Sequence, residues 1–210
     1  MDKMDLDGKR FIRVVDYKTG GKTFELSDVL EGLNMQMLLY LISIWRNGEG
    51  EYGNIIPAGI LYFPAKMSTV NVDSRGDDEA LRRENRYRAG KMNGMIVDDY
   101  DMVSHMDKQG KGIFIPVSAD KRTGKIKGKF ISLYYLEKLG KKMDEVIVNM
   151  ANGIQEGIIP ARPVCGSSYT DVCDWCDYRE ICMEENPEKR YIRKIPHDEC
   201  LELLREEETQ

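Results

Sequence analysis

Two segments, "MDKMD" and "RFIRVVDYK", stand either side of "LDGK", and the Asp7-Gly8 pair inside it is a strong turn signal. This predicts an antiparallel hairpin that ends at Gly20-Gly21. From Ser27, a candidate N-cap, "DVLEGLNMQMLLYLISIWRNG" sets Leu30, Leu33, Met37, Leu41 and Ile44 at helical spacing, and Asn47-Gly48 stops it. That pattern predicts one long buried helix. "AGILYFPAK" (Ala58 to Lys66), apolar and rich in aromatic and β-branched types, fits a central strand. Residues 69 to 94 carry mixed charges and read as a loop leading into an exposed helix.

Further on, "GIFIPVSADKRTGKIKGKFIS" reads as a strand, a basic loop and a return. "SLYYLEKLGKKMDEVIVNMANGIQEG" then places Leu136, Leu139, Met143, Val146, Met150 and Ile154 along one helical face. Pro160 and Pro163 open a cysteine-bearing segment, and "LELLREEETQ" is a charged helical tail. No internal repeat is present. Two strands, a helix and a further strand at the front predict an α/β sandwich. Residues 1–163 are expected to form the core, with 69–130 as an insertion, and 164–210 a cysteine-rich appendage. The chain starts inside a periodic pattern with no lead-in, so an upstream part is expected.

At 210 residues the chain is long enough to bury a sizeable core. With 31 Lys and Arg against 36 Asp and Glu, the net charge of −5 does not advertise nucleic-acid binding by the molecule as a whole. Any such role must come from a local site. "MLLYLISIW" is far short of the roughly 20 residues a membrane span needs, so no membrane partner is expected. Five cysteines, three of them bunched and none preceded by a secretory signal, predict a cytoplasmic protein whose thiols act as ligands. His105, in the polar helix "DMVSHMDK", and His197, after a proline in a charged loop, are read as solvated and receive no role.

The chemistry gathers at "RVVDYKTGG". Side chains alternate along a strand, so Asp16 and Lys18 share a face while Tyr17 points away. A carboxylate so placed can hold a divalent cation, and the ammonium can orient a water or offset charge on a phosphate. That suits phosphodiester hydrolysis. An isolated D-x-K is ordinarily an exposed ion pair worth about 0–1 kcal/mol, and the surroundings must decide. Pairing around Asp7-Gly8 is expected to bring Asp2 within a few residues of Asp16, giving two carboxylates for one metal. Gln36 and Tyr40, four apart, share one face of the buried helix.

"CDWCDYREIC" spaces Cys173, Cys176 and Cys182 as C-x2-C-x5-C. Such a turn suits zinc or an iron-sulfur cluster equally; the plain alternative is buried thiols packing as small hydrophobes.

Taken together, "MDKMD", "VVDYKTG" and "NMQMLLY" resemble, in family order, successive motifs of the RecB-type PD-(D/E)XK nucleases. The cysteine triplet and "IQEGIIPARP" before it are similar to the tail of the AddB-type branch. The resemblance implies a restriction-endonuclease-like core, a central mixed β-sheet flanked by helices. It implies that Asp2 and Asp16 bind Mg²⁺ or Mn²⁺, that Lys18 positions the attacking water, and that Gln36 and Tyr40 line the site against the DNA backbone. It further implies a [4Fe-4S] cluster on Cys173, Cys176, Cys182 and a fourth, upstream cysteine. The partners implied are linear DNA and an AddA-like helicase subunit, the activity exonuclease cutting in double-strand break repair and recombination. The chain departs from the family in lacking the glycine before Asp2, the upstream His and Glu motifs and the upstream cysteine. Cys165 or Cys200 could substitute sterically. Weak or absent cleavage by the isolated chain is therefore expected.

Two other readings compete. One is a free-standing RecB-like CRISPR-associated nuclease, which also ends in clustered cysteines. The other is a zinc-stabilised DNA-binding module without catalysis, with Lys121, Arg122, Lys125, Lys127 and Lys129 as a basic loop.

Overall fold

The hairpin forms as its turn signal requires. In the computed structural model β1 (Asp2–Leu6) and β2 (Lys9–Lys18) pair antiparallel, with Asp7 at φ 48° and Gly8 at φ 75° as the two left-handed turn positions. The structure describes residues 1–19, 23–65, 79, 82–83, 87, 89–107, 112–119, 125–166, 172–182 and 188–206. The chain divides into two units, Met1–Phe24 with Gln36–Glu137, and Glu25–Met35 with Lys138–Gln210.

In the first unit β3 (Ile55–Pro64) lies parallel to β2 and β4 (Asn93–Val97) antiparallel to β3. A two-stranded ribbon, β5 (Val117–Ala119) and β6 (Ile126–Gly128), precedes β7 (Phe130–Ile131), which joins the main sheet parallel to β4. The order β1-β2-β3-β4-β7 makes a mixed sheet with β3 at its centre. Ala58, Ile60 and Leu61 are almost wholly buried, as expected of a strand covered on both faces. Ala58 is an extra residue in β3, because Ile12 pairs with Pro57 and Arg13 with Gly59. The strands cross closely there: a Cβ on Gly94, at φ 155°, would fall 2.0 Å from the Ile60 carbonyl oxygen.

The single long helix expected from Ser27 is instead two, α1 (Leu26–Leu30) and α2 (Gln36–Asn47). Gly32 at φ 79° and Asn34 at φ 53° adopt left-handed conformations that an α-helix does not carry. Periodicity hid the break because apolar residues keep their helical spacing across it. Ser27 lies inside α1, whose N-cap is Glu25. Helix α2 packs against β2 and β3 and buries Met37, Leu38, Leu41 and Ile42. A short α3 (Glu49–Tyr52) follows. α4 (Tyr100–Met106) is capped by Asp99, whose carboxylate accepts from the Met102 N–H at 2.9 Å. Strand β4, five residues long, starts in the last two residues of the charged stretch and continues through the buried Met95, Ile96 and Val97 beyond it; most of 69–94 and the basic-loop positions 121–124 lie outside the described residues.

α5 (Leu133–Gln155) buries Leu136, Leu139 and Met143 but exposes Met150 and Ile154. A 23-residue helix runs about 35 Å, and only the first half of its apolar stripe is covered.

In the second unit β8 (Val164–Gly166) pairs parallel with β9 (Arg190–Ile192), and α6 (His197–Glu206) packs against α1. Lys194 Nζ lies 2.8 Å from Glu25 Oε1, and Arg190 Nη2 donates to the Glu31 carbonyl. Positions 164–210 thus share a unit with Glu25–Met35. His197, read as a solvated loop residue, starts α6 and is half-buried. Among the described residues no helix is long and apolar enough to cross a membrane.

Candidate active site

Asp16 and Lys18 stand side by side near the carboxyl end of β2, Asp16 Oδ2 2.5 Å from Lys18 Nζ, each side chain about one-third exposed. Tyr17 points the other way, 70% exposed, its ring 5.3 Å from that of Phe63. β2 and β3 are parallel neighbours, and the carboxyl ends of parallel strands are where open α/β sheets bind ligands.

The register sets the next neighbours. Asp16 pairs with Tyr62 and Tyr62 with Asn93, so the three lie in one row on one face. Lys18 Nζ sits 5.7 Å from the centroid of the buried Tyr62 ring. Asn93 Oδ1 accepts from the Phe24 N–H at 2.6 Å, and Lys129 Nζ donates to the Phe24 carbonyl at 2.5 Å. The chain leaving β2 is therefore held at Phe24 from both ends of one residue. Tyr62 and Asn93 were not expected in the site. The signal for Tyr62 was the "YF" of β3, which runs in parallel register with the "DYK" of β2.

Asp2 is not where the hairpin was expected to bring it. It pairs with Arg13 and accepts from Arg13 Nε and Nη2 at 3.1 and 3.0 Å. Arg13 and Asp16 are three residues apart, and side chains alternate, so Asp2 lies on the face opposite Asp16 and Lys18. The expected pair of carboxylates is not formed. Asp2 and Arg13 instead border a cavity of about 230 Å³ with Phe11, Ala58 and His105. His105 is exposed, with Nδ1 2.8 Å from the Asp101 carbonyl.

Gln36 and Tyr40 do meet. Gln36 Nε2 donates to Tyr40 Oη at 2.9 Å on an exposed face of α2, not among buried leucines as the pattern suggested. Among the described residues these two side chains bond to each other rather than to Asp16 or Lys18.

Metal binding needs several ligands converging, and among the described residues no three of His, Cys, Asp and Glu do so. Asp16 alone, already paired with Lys18, does not make a site for Mg²⁺ or Mn²⁺. Cys173 lies in a 3₁₀ turn (Val172–Trp175), and Cys176 and Cys182 follow on turns, Cys176 N–H donating to the Cys173 carbonyl and Cys182 N–H to that of Tyr178. The donors are of the right kind for zinc or iron-sulfur, and Cys176 and Cys182 are exposed thiols, but the three do not gather around one centre. Cys165 is half-buried in β8, and Cys200 is fully buried with Sγ 3.7 Å from the Ile195 carbonyl.

A mixed five-stranded sheet presenting an acid and a lysine at the end of an internal strand is a nuclease-like framework. Residues 1–183 match the family model of the PD-(D/E)XK nuclease superfamily, and the chain belongs to that superfamily. It is 33% identical over 211 residues to the B subunit of the ATP-dependent helicase/deoxyribonuclease of Clostridium perfringens (strain SM101 / Type A), an alignment covering 94% of this chain and 18% of that protein. Proteins of the same name from Acetivibrio thermocellus and Caldanaerobacter subterraneus subsp. tengcongensis are 29% and 33% identical, with the whole of this chain and 19% and 18% of theirs aligned. The chain spans under one-fifth of the length of these relatives.

Proposed function

We propose that this chain is the DNA-cutting part of an AddB-type protein, an exonuclease that works with an AddA-like helicase on DNA ends during double-strand break repair. The observation that carries the reading is the Asp16–Lys18 pair, joined at 2.5 Å at the carboxyl end of a parallel strand, in a chain of the PD-(D/E)XK superfamily. Resemblance to helicase/deoxyribonuclease B subunits supports DNA as the substrate and a helicase as the partner.

In this reading the Lys18 ammonium orients the attacking water or offsets negative charge growing on the phosphate as water adds to phosphorus and the bond to the leaving sugar oxygen breaks. Asp16 fixes that ammonium in place. Gln36 and Tyr40 supply exposed polar groups to the DNA backbone. Asp16 is also the carboxylate at which Mg²⁺ or Mn²⁺ is expected, and such an ion needs ligands beyond it. Cys173, Cys176 and Cys182 are proposed as three thiolate ligands of a [4Fe-4S] cluster, with the fourth from elsewhere.

The test is cleavage of linear DNA with Mn²⁺ by the chain and by Asp16→Ala and Lys18→Ala. Weak cutting that both substitutions abolish supports the proposal. DNA binding retained in both, with no cutting by any form, would favour a binding module.

A further inference from the structure

We propose that Tyr62 is a positioning residue for Lys18, its ring forming the wall that keeps the ammonium beside Asp16. The proposal rests on the nuclease reading for its consequence, though not for its geometry.

Lys18 is directly opposite Pro64 on β3, and proline offers it no hydrogen-bonding group from its side chain. The lysine reaches back two residues instead, to Asp16 on its own strand and to Tyr62, the strand neighbour of Asp16. A lysine ammonium is a compact point charge on a four-carbon stem with many rotamers. Asp16 alone holds it by one contact that solvent reaches, since both side chains are about one-third exposed. The Tyr62 ring adds a second, directional attraction, the ammonium lying within the roughly 6 Å range of a cation–π contact.

Tyr62 itself is fixed. It is 5% exposed, sits on the central strand, and has Asp16 and Asn93 on either side in the sheet. On the other face the Tyr17–Phe63 ring contact holds the same two strands in the same register. The ring is therefore a rigid surface, while Lys18 is the mobile partner. An arrangement of this kind selects lysine rotamers before substrate arrives.

The experiment uses the 210-residue chain with ¹³C-labelled lysine, the Lys18 signal assigned by its loss in Lys18→Arg. In the unsubstituted chain the Lys18 Hε protons should be displaced upfield by the ring, and Tyr62→Phe should keep the displacement. Tyr62→Leu should return them to the position of exposed lysines, and Tyr62→Met serves the same purpose should the leucine variant fail to fold. A Lys18 signal at the exposed-lysine position in the unsubstituted chain, or one that the ringless variants leave unmoved, overturns the proposal.

Cleavage with Mn²⁺ supplies the second readout. Tyr62→Leu or Tyr62→Met should lower kcat by about tenfold to a hundredfold with KM little changed, and Tyr62→Phe should restore most of it. Equal loss in the phenylalanine variant, or full kcat without the ring, overturns it. Cleavage that ignores Asp16→Ala defeats the nuclease reading instead, and the lysine signal still decides whether Tyr62 holds Lys18.

Discussion

Asp2 and Arg13 are directly opposed on β1 and β2, and Arg13 donates to a single Asp2 oxygen from two nitrogens at 3.0 and 3.1 Å. A strand side chain can face only one way, so this contact and a contact with Asp16 exclude one another in the same register. β1 is an edge strand whose other direct ion pair, Asp5–Arg10 at 2.8 Å, fixes that same register. Asp2 is about half exposed. Asp2→Asn and Arg13→Met should therefore each change stability by no more than about 1 kcal/mol, and less as salt screens the pair. Denaturant titrations at low and high salt check this; a large loss that salt leaves untouched would show the pair to be shielded from solvent.

Asp5 gives a pH signature. Its hydrogen bond from Arg10, aided by the charges of Arg10 and Lys3, holds its carboxyl below the ordinary carboxylate value, against a smaller upward push from desolvation. A group depressed in the folded state contributes in full above its unfolded value and loses the contribution as pH falls through the lower, folded one. The stability gap between the unsubstituted chain and Asp5→Asn should hold steady from neutrality to about pH 4 and then shrink. Denaturant midpoints across that range measure it, and a gap that widens on acidification would contradict the assignment.

Two glycines with positive φ should respond very differently to alanine. At Gly94 the added Cβ would meet the Ile60 carbonyl at 2.0 Å, whereas at Gly8, at φ 75°, it meets nothing within 4 Å. Gly8→Ala should cost about 1–2 kcal/mol, the strain of a left-handed residue. Gly94→Ala should cost on the order of 3 kcal/mol or more, because β3 and β4 must separate. Thermal melts of the two variants compare them directly; similar losses would mean that the sheet relaxes around Gly94.

The cysteine segment can be tried without any activity assay. If Cys173, Cys176 and Cys182 bind an iron-sulfur cluster, anaerobic reconstitution should give the chain visible absorption that Cys176→Ser abolishes. Cys200→Ser should leave the colour in place, since that thiol is buried against the Ile195 carbonyl. Metal analysis showing zinc and no colour would replace the cluster with a zinc site.

The local geometry was legible in the sequence. Asp7-Gly8 specified the hairpin, the two-residue period put Asp16 beside Lys18, and the four-residue step put Gln36 on Tyr40. Each depends only on residues close in the chain, whose relative placement backbone geometry fixes. The break at Gly32 and Asn34 had a signal in its Gly and Asn, which an uninterrupted apolar spacing outweighed.

Three features required the folded chain. Asp2 and Asp16 fall on opposite faces because the two-residue turn counts the hairpin into the register pairing Asp2 with Arg13, and a register differing by one would reverse the result. Tyr62 reaches Lys18 because β2 and β3 run parallel with an extra residue at Ala58. Asn93 and Lys129 meet at Phe24 because β4 and the chain entering β7 bring them there from far along the sequence. Periodicity says which way a side chain points within its own strand. Which strand lies alongside, and in what register, is decided by how the whole sheet buries its apolar faces.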